Sequence, residues 1–130
     1  MEIERIDHIV LTVRDLRATC AFYTRALGMR EETFGAGRTA LHFGSQKINL
    51  QPVGGESTLV ARTPTPGSGD LCFVTTTPLD AVIAHLRACG VEIIEGPVKR
   101  AGAIGMMDSV YFRDPDENLV EVSIYADGGA

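Results

Sequence analysis

The sequence predicts an α+β fold built from two βαβββ units that face each other around a polar cleft. Three observations lead to this prediction. A strand pattern, a helical stripe and three further strand patterns follow one another within residues 1–55, and the same order returns within residues 68–127. Residues 54–69, rich in Gly, Pro, Ser and Thr, are expected to be the linker. Moving the first half forward by 62 positions places His8 on Asp70 and Gly28 on Gly90, which indicates an internal duplication.

The first half begins with alternating apolar and polar residues over positions 3–13, the period of a strand with two different faces. Asp15 then stands where a helix N-cap is expected, and Gly28 stands where the helix should end. Three short strands are predicted next, over residues 29–34, 39–43 and 47–53, with glycine-containing turns between them. The helical stripe consists of Leu16, Cys20, Tyr23 and Leu27.

The second half repeats this order with a strand over residues 70–75 and a helix that Gly90 should end. Its helical stripe is formed by Leu79, Val82, Ile83 and Leu86. Three strands should follow, over residues 91–94, 103–112 and 119–125. The segment 113–118 contains Asp114-Pro115-Asp116 and is interpreted as a tight turn rather than a site.

Length and composition indicate one soluble, cytoplasmic domain over residues 1–130. A chain of 130 residues with 45% hydrophobic residues can bury a core large enough to fold without disulfide or metal cross-links. The N-terminus has no apolar signal core and the chain has an odd number of cysteines, so a disulfide framework is not expected. Cys20, Cys72 and Cys89 are interpreted as buried thiols. No apolar run reaches the roughly 20 residues that cross a bilayer, so no membrane segment is expected.

Charge and aromatic content disfavour nucleic acid as a partner. The formal net charge is −5, from 12 basic and 17 acidic residues dispersed along the chain. Trp is absent and aromatic residues make up only 6%, so a platform for stacking bases is not expected. A small molecule is the more plausible ligand.

Strand alternation divides the side chains between two faces. A helix packed on one side of an antiparallel sheet requires apolar residues there. The other side, here called the open face, can carry polar side chains with other functions. The covered face should carry Ile9, Leu11, Ile48, Leu50, Leu71, Phe73, Val120, Val122 and Ile124. The open face should carry His8, His42, Asn49, Gln51, Asp70, Cys72, Asp108, Glu121 and Ser123, an unusually polar set.

Four residues of the open face occupy matched positions in the two halves. His8 corresponds to Asp70, and Asn49 corresponds to Glu121 when the second half is allowed an insertion within residues 96–102. If the halves aim these side chains at one centre, one imidazole and three oxygen donors would form a shell for a divalent cation. The alternative is a sheet with one solvated face, and for His8 alone that interpretation is the better one.

Several segments resemble the vicinal oxygen chelate superfamily, which includes glyoxalase I, fosfomycin-resistance thiol transferases, bleomycin-binding proteins and extradiol dioxygenases. The resemblance covers nearly the whole chain and is specific for the superfamily rather than for one reaction. The segments that carry it are DHIVLTVRDL at 7–16, AFY at 21–23, LGM at 27–29 and YFRDPDENLVE at 111–121.

The resemblance implies two βαβββ modules forming a cupped mixed sheet with helices on the outer face, commonly as a homodimer whose cavities draw on both chains. Family metal ligands lie on the first and last strands of each module, and His8 and Glu121 match the His and Glu most often kept. Asp70 and Asn49 depart from the His and Glu of glyoxalase I. A divalent ion (Ni, Co, Mn, Mg or Zn) is therefore expected, in a site that differs from that of glyoxalase I.

The resemblance further implies a metal-dependent lyase or isomerase acting on a small molecule with neighbouring oxygens. Glu121 is the candidate general base, with Asp70 or His42 as a proton relay. His42, Gln51 and Arg100 are candidate substrate-binding residues, and residues 96–105 could form a mobile lid that carries Arg100.

Three other functions of the same superfamily stay open. The first is a metal-free protein that sequesters a drug or other small molecule, although the absence of Trp favours the metal. A thiol transferase is a close variant of the lyase. An iron-dependent dioxygenase ranks last, because its facial triad normally needs two His and only His42 could supply the second.

Overall fold

A computed structural model describes residues 1–126 of the chain. The chain divides into two compact units, Met1–Ser68 and Gly69–Ala130. Each unit contains one helix and one mixed four-stranded sheet in the order βαβββ. The predicted α+β fold with two βαβββ modules is therefore confirmed. No helix within residues 1–126 is both long and apolar enough to cross a membrane.

The first unit has its strands in the spatial order β1-β4-β3-β2. β1 pairs in parallel with β4, and the other two pairings are antiparallel. The parallel pairing requires a crossover, which the helix between β1 and β2 provides. The elements are β1 (His8–Val13), α1 (Leu16–Leu27), β2 (Arg30–Phe34), β3 (Arg38–Phe43) and β4 (Gln46–Pro52).

Helix α1 begins and ends at the residues that the sequence indicates. The Asp15 side chain accepts a hydrogen bond from the Ala18 backbone N–H at 3.0 Å, which satisfies one of the free donors of the first turn. Gly28 follows the helix with φ 66°, and its N–H donates to the Tyr23 carbonyl. A side chain at this left-handed position would be strained, so glycine suits the helix end.

The core of the first unit lies between α1 and one face of its sheet. α1 packs on β2, β3 and β4. Cys20 and Tyr23 are at most 1% exposed and represent the helix in this core. The sheet contributes the buried residues Leu11, Val13, Leu41, Ile48 and Leu50. Each such apolar side chain stabilises the fold by about 1.5–3 kcal/mol relative to leaving it in water.

The second unit repeats the topology, with strand order β5-β8-β7-β6 and a parallel β5–β8 pair. Its helix packs on β7. Leu86 from the helix and Val110, Phe112, Val120 and Val122 from the sheet are buried. The elements are β5 (Asp70–Val74), α2 (Leu79–Ala88), β6 (Glu95–Ala101), β7 (Met106–Arg113) and β8 (Leu119–Tyr125).

The segment between β7 and β8 forms the tight turn expected from its sequence. Asp114 Oδ1 accepts hydrogen bonds from the backbone N–H groups of Asp116 and Asn118, both at 2.9 Å. The Asn118 amide donates to Asp114 Oδ2 at 2.8 Å, while its Oδ1 accepts from the Gly69 N–H at 2.7 Å. These bonds fix the point at which β8 begins beside β5.

Three expectations are wrong in detail. Residues 91–94 do not form a strand; the sixth strand runs instead over Glu95–Ala101 and pairs with β7. Most of the supposed lid at 96–105 is therefore sheet, so the mobile-lid interpretation fails. Of the three cysteines only Cys20 is buried, whereas Cys72 is exposed and Cys89 is intermediate.

Candidate functional site

The open face of the second sheet carries a row of three functional side chains. Cys72 of β5 pairs with Glu121 of β8, and Glu121 pairs in turn with Tyr111 of β7. Residues directly opposite each other across strands point to the same side of the sheet. The row therefore places a thiol, a carboxylate and a phenol side by side, away from the buried Val120 and Val122.

A cavity of about 430 Å³ lies over this row, within the second unit. Arg100 enters it from β6, where it pairs with Met107. The Arg100 Nε donates to the Tyr111 hydroxyl at 3.1 Å, and the guanidinium carbon lies 5.5 Å from the centre of the Tyr111 ring. The lining includes Cys72, Arg100, Met107, Tyr111, Glu121 and Tyr125. One cation and one carboxylate thus share an aromatic cavity.

A four-residue turn between β6 and β7 borders the same cavity. The Gly102 N–H donates to the Gly105 carbonyl at 2.7 Å, and the Ile104 N–H donates to the Tyr125 hydroxyl at 3.4 Å. A Cβ on Gly102 would lie 2.6 Å from the Tyr125 hydroxyl and 2.8 Å from the Met107 sulfur. Only glycine lets this turn approach Tyr125 and Met107 so closely, so Gly102 sets the depth of the cavity at this end.

The Glu121 carboxylate is held by a hydroxyl from its own strand. Ser123 donates to Glu121 Oε2 at 3.1 Å. Ser123 Oγ also lies 2.6 Å from Ser109 Oγ and 3.3 Å from Cys72 Sγ. Ser109 and Ser123 are both 0% exposed. A buried hydrogen-bond network therefore supports the carboxylate from beneath the cavity.

Burial and the Glu121 charge keep the two acidic neighbours of this carboxylate protonated. The pKa of the Tyr111 hydroxyl is raised above 10.0 by burial and, to a lesser degree, by the negative charge of Glu121. The pKa of the Cys72 thiol is raised above 9.0, because partial desolvation of its sulfur and then the Glu121 charge outweigh the lowering effect of the Ser123 hydrogen bond. Near neutral pH, Tyr111 is a hydrogen-bond donor and Cys72 is a weak nucleophile.

The equivalent row of the first sheet carries different chemistry. Val10, Asn49 and Ala40 pair across β1, β4 and β3. Because Val10 and Cys72 are 62 positions apart, this register confirms the predicted equivalence of Asn49 and Glu121. Asn49 is 5% exposed, and within residues 1–126 its Oδ1 has no hydrogen-bond partner. An unsatisfied buried acceptor costs about 1–3 kcal/mol, so this oxygen is ready for a donor or a cation.

A cavity of about 580 Å³ in the first unit borders Asn49 and Gln51. The Gln51 amide donates to the Thr12 hydroxyl at 2.9 Å. Arg38 also lines this cavity, and its guanidinium carbon lies 4.8 Å from the centre of the Phe34 ring. Segment 54–64, predicted as part of a linker, contributes Leu59, Val60 and Pro64 to the lining.

The two candidate histidines lie on the open face of the first sheet with acidic neighbours. His8 pairs with Lys47 at the start of β1, and its Nδ1 lies 2.8 Å from Asp7 Oδ2. His42 also pairs with Lys47, from β3, and its Nε2 forms an ion pair at 3.3 Å with Glu32 whenever the ring is protonated. This contact is an ion pair without a hydrogen bond, since His42 Nε2 has no hydrogen-bond partner among residues 1–126.

The candidate metal ligands divide equally between the two units. The first holds His8 and Asn49, and the second holds Asp70, exposed at the start of β5, and Glu121. Among residues 1–126, no group of three or more His, Cys, Asp or Glu side chains is placed to hold a metal. Within the first unit, the bare Asn49 oxygen is a donor of the kind that hard divalent cations take.

The sequence did not single out Tyr111, Tyr125 or Ser109, and it placed Asp108 on the wrong face. Arg113 pairs with Leu119, so odd-numbered residues of β7 share a face with odd-numbered residues of β8. Asp108 therefore pairs with Ile124 on the covered side, where it accepts from Lys99 at 2.6 Å. The number of residues in the turn at 113–118 determines which residues of β7 and β8 share a face. That number was the sequence signal that could have placed Asp108 correctly.

Comparison with known proteins places the chain in one family. The model of the Glyoxalase/Bleomycin resistance protein/Dioxygenase superfamily matches residues 5–122. Virulence protein STM3117 of Salmonella typhimurium is 51% identical over 125 residues, which cover 96% of this chain and 87% of that protein. Glyoxalase domain-containing protein RDO1 of Mycosarcoma maydis is 50% identical over 127 residues, covering 98% and 72%.

Among solved structures, an integron cassette protein of V. cholerae has a TM-score of 0.95 at 53% identity, covering 97% of this chain and 98% of that one. The family match and these identities agree with the topology of both units. This chain belongs to the glyoxalase/bleomycin resistance protein/dioxygenase superfamily.

Proposed function

We propose that this protein is a metal-dependent lyase or isomerase of the glyoxalase type, acting on a small molecule with two neighbouring oxygens. One observation carries the proposal: the Glu121 carboxylate lines a cavity with a cation and two phenols, and a buried hydroxyl holds it in place. A carboxylate fixed in this way is suited to removing a proton from a carbon next to a carbonyl group. The family is known for enzymes of this kind as well as for binding proteins.

The neighbours of Glu121 supply the other functions that proton transfer requires. Tyr111 stays protonated and donates one hydrogen bond to a substrate oxygen as charge develops there. Arg100, held by its bond to the Tyr111 hydroxyl, attracts an anionic group of the substrate. In the first unit, Gln51 and His42 are the proposed further contacts, with His42 or Asp70 as a proton relay.

The proposed ligands of the cation are His8, Asn49, Asp70 and Glu121. Asn49 has the strongest support, since its buried oxygen has no hydrogen-bond partner among residues 1–126. A divalent ion held by these donors would polarise the two substrate oxygens and acidify the adjacent C–H bond. Members of the superfamily often depend on a metal, which supports this proposal. The candidate ions are those of Ni, Co, Mn, Mg and Zn.

A thiol needed in the reaction should come from the substrate rather than from the protein. Cys72 is the one cysteine lining the cavity of the second unit, and its raised pKa keeps it protonated near neutral pH. This argues against a covalent intermediate on the protein and leaves a thiol transferase as a variant that takes its thiol from solution.

The proposal is tested with methylglyoxal and phenylglyoxal, each offered with and without glutathione, after loading the protein with each of the five ions. Conversion to a 2-hydroxy acid or its thioester is the expected result. Elemental analysis and thermal melts with each ion accompany the assay, because an ion that binds only the folded state raises the midpoint. No conversion, together with melts that no ion shifts, would reject the proposal.

A second candidate is a protein that sequesters a small molecule without chemistry. Tyr111, Tyr125 and Met107 favour it, because they give the cavity of the second unit an aromatic and apolar lining suited to flat ligands. Tight binding of a planar ligand that quenches tyrosine fluorescence, with no product formed, would support this function over the lyase.

The remaining expectations stay proposals. A homodimer is proposed from the family resemblance, and sedimentation equilibrium would test it. A cytoplasmic location is likewise proposed, and fractionation of the source cells would test it. The dioxygenase has no support beyond the family, since its second imidazole, His42, lies against Glu32.

A further inference from the structure

The buried network beneath Glu121 has a direction that its geometry determines. A serine hydroxyl has one proton to donate and two lone pairs to accept, and an ionised carboxylate only accepts. Ser123 donates to Glu121 Oε2 at 3.1 Å, so its single proton is used there. Ser109 lies 2.6 Å from the Ser123 oxygen and must donate to it.

The thiol of Cys72 completes the same pattern. Its sulfur lies 3.3 Å from Ser123 Oγ, and it too must act as donor once the Ser123 proton points at Glu121. Ser123 then accepts from Ser109 and Cys72 and donates to Glu121, so its one proton and both of its lone pairs are used.

We propose that Ser123, supported by Ser109, is a positioning residue that fixes the Glu121 carboxylate by a one-way chain of hydrogen bonds. This inference rests on the proposed role of Glu121 as a base. Two donors to Ser123 polarise its hydroxyl and strengthen its bond to Oε2, by about 10–30% per bond. With Oε2 engaged, Oε1 is the oxygen that faces the substrate proton. Both serines are 0% exposed, so water does not compete for these bonds.

The chain is tested on crystal structures, without any substrate. Ser123→Ala removes the hydroxyl that holds Oε2, so the Glu121 side chain should leave its position or occupy several conformers. Ser123→Thr keeps a hydroxyl and should restore the single position, while Ser45→Ala, in an exposed turn, should change nothing.

A Glu121 carboxylate that keeps one unchanged position in Ser123→Ala overturns the proposal, whether or not the protein is an enzyme.

The consequence for catalysis is measured with the methylglyoxal–glutathione adduct on the metal-loaded protein. Ser123→Ala should lower kcat about 10- to 100-fold through misplacement of Glu121. KM should change by less than about threefold, since the ground-state contacts remain. Ser123→Thr should recover most of the loss, which a purely structural role would not require. If the wild-type protein shows no turnover, the crystal structures still decide whether Ser123 positions Glu121.

Discussion

The two sheets place different side chains at the same positions of one backbone plan. In the first, the middle row of the open face reads Val10, Asn49, Ala40; in the second, the row reads Cys72, Glu121, Tyr111. The covered faces differ far less, since both present buried aliphatic residues to a helix. The packing side is thus similar in the two sheets, and the differences lie on the side that packing does not dictate.

Under the proposed function, this contrast would make the second unit the source of the reactive carboxylate and the first the source of a neutral ligand. Asn49 has the shape of a carboxylate but no charge and no basicity. Its oxygen can hold a cation or accept a hydrogen bond, yet it cannot take a proton from carbon. Neutralising Glu121 tests this division of roles most directly.

The largest effect should follow Glu121→Gln, which makes the second row as neutral as the first. Turnover of the best substrate should fall about 10²- to 10⁴-fold, the usual contribution of a general base. Steady-state kinetics with circular dichroism would measure it, and Glu92→Gln at an exposed position is the control. Retained turnover would remove Glu121 from the mechanism.

Truncation on the covered faces should affect both units alike. Phe112 and Leu41 are both 0% exposed, one in each sheet. Phe112→Ala should lower the free energy of unfolding by about 3–5 kcal/mol and Leu41→Ala by about 2–5 kcal/mol, through lost burial and the cavity that remains. Urea titration would measure both. A loss below about 1 kcal/mol in one unit alone would show that the two cores are not equivalent.

Removing the acidic residue at the start of each helix should have a smaller effect on stability, and the loss should differ between α1 and α2. The Asp15 side chain caps α1, whereas α2 follows Pro78 and has no side-chain cap among the described residues. Asp15→Ala should therefore cost about 1 kcal/mol of stability, and Asp15→Asn should restore most of it. Asp80→Ala in the first turn of α2 should cost about 0.3–1 kcal/mol. Thermal or urea unfolding would compare them, and equal losses would contradict the asymmetry.

The smallest effect concerns the phenol of the second row. Burial and the Glu121 charge raise the Tyr111 pKa, so its ionisation should occur above pH 10.0. Ultraviolet absorbance of the wild-type protein minus Tyr111→Phe would isolate this titration. Because the unfolded chain loses this proton first, the contribution of Tyr111 to stability is lost as pH rises past 10.0. A midpoint at or below 10.0 would contradict the described surroundings of Tyr111.

Local signals explain why much of the fold could be predicted. Asp15 and Gly28 bound α1 because capping and a left-handed helix end depend only on nearby residues. Alternation along β8 placed Glu121 and Ser123 on the open face for the same reason. The order of elements followed, since every element except the sixth strand had such a signal.

The sixth strand could not be predicted because its own residues argue against it. Pro97 lacks an N–H, and Gly96 has a φ of 109°. Both are tolerated because β6 is an edge strand, with β7 on one side only. The position of Arg100 in the cavity depends on this tertiary context. Tyr111 and Ser109 were missed because their face depends on the register across the turn at 113–118.

The hydrogen-bonded turn around Asp114 constrains how related genes can vary. Adding one residue to it would slip β7 against β8 by a single position, and every side chain of β7 would change sides. The phenol of Tyr111 would then enter the core and the ring of Phe112 would meet the solvent. Natural or engineered insertions here should occur in pairs, or be compensated by a bulge that resets the parity.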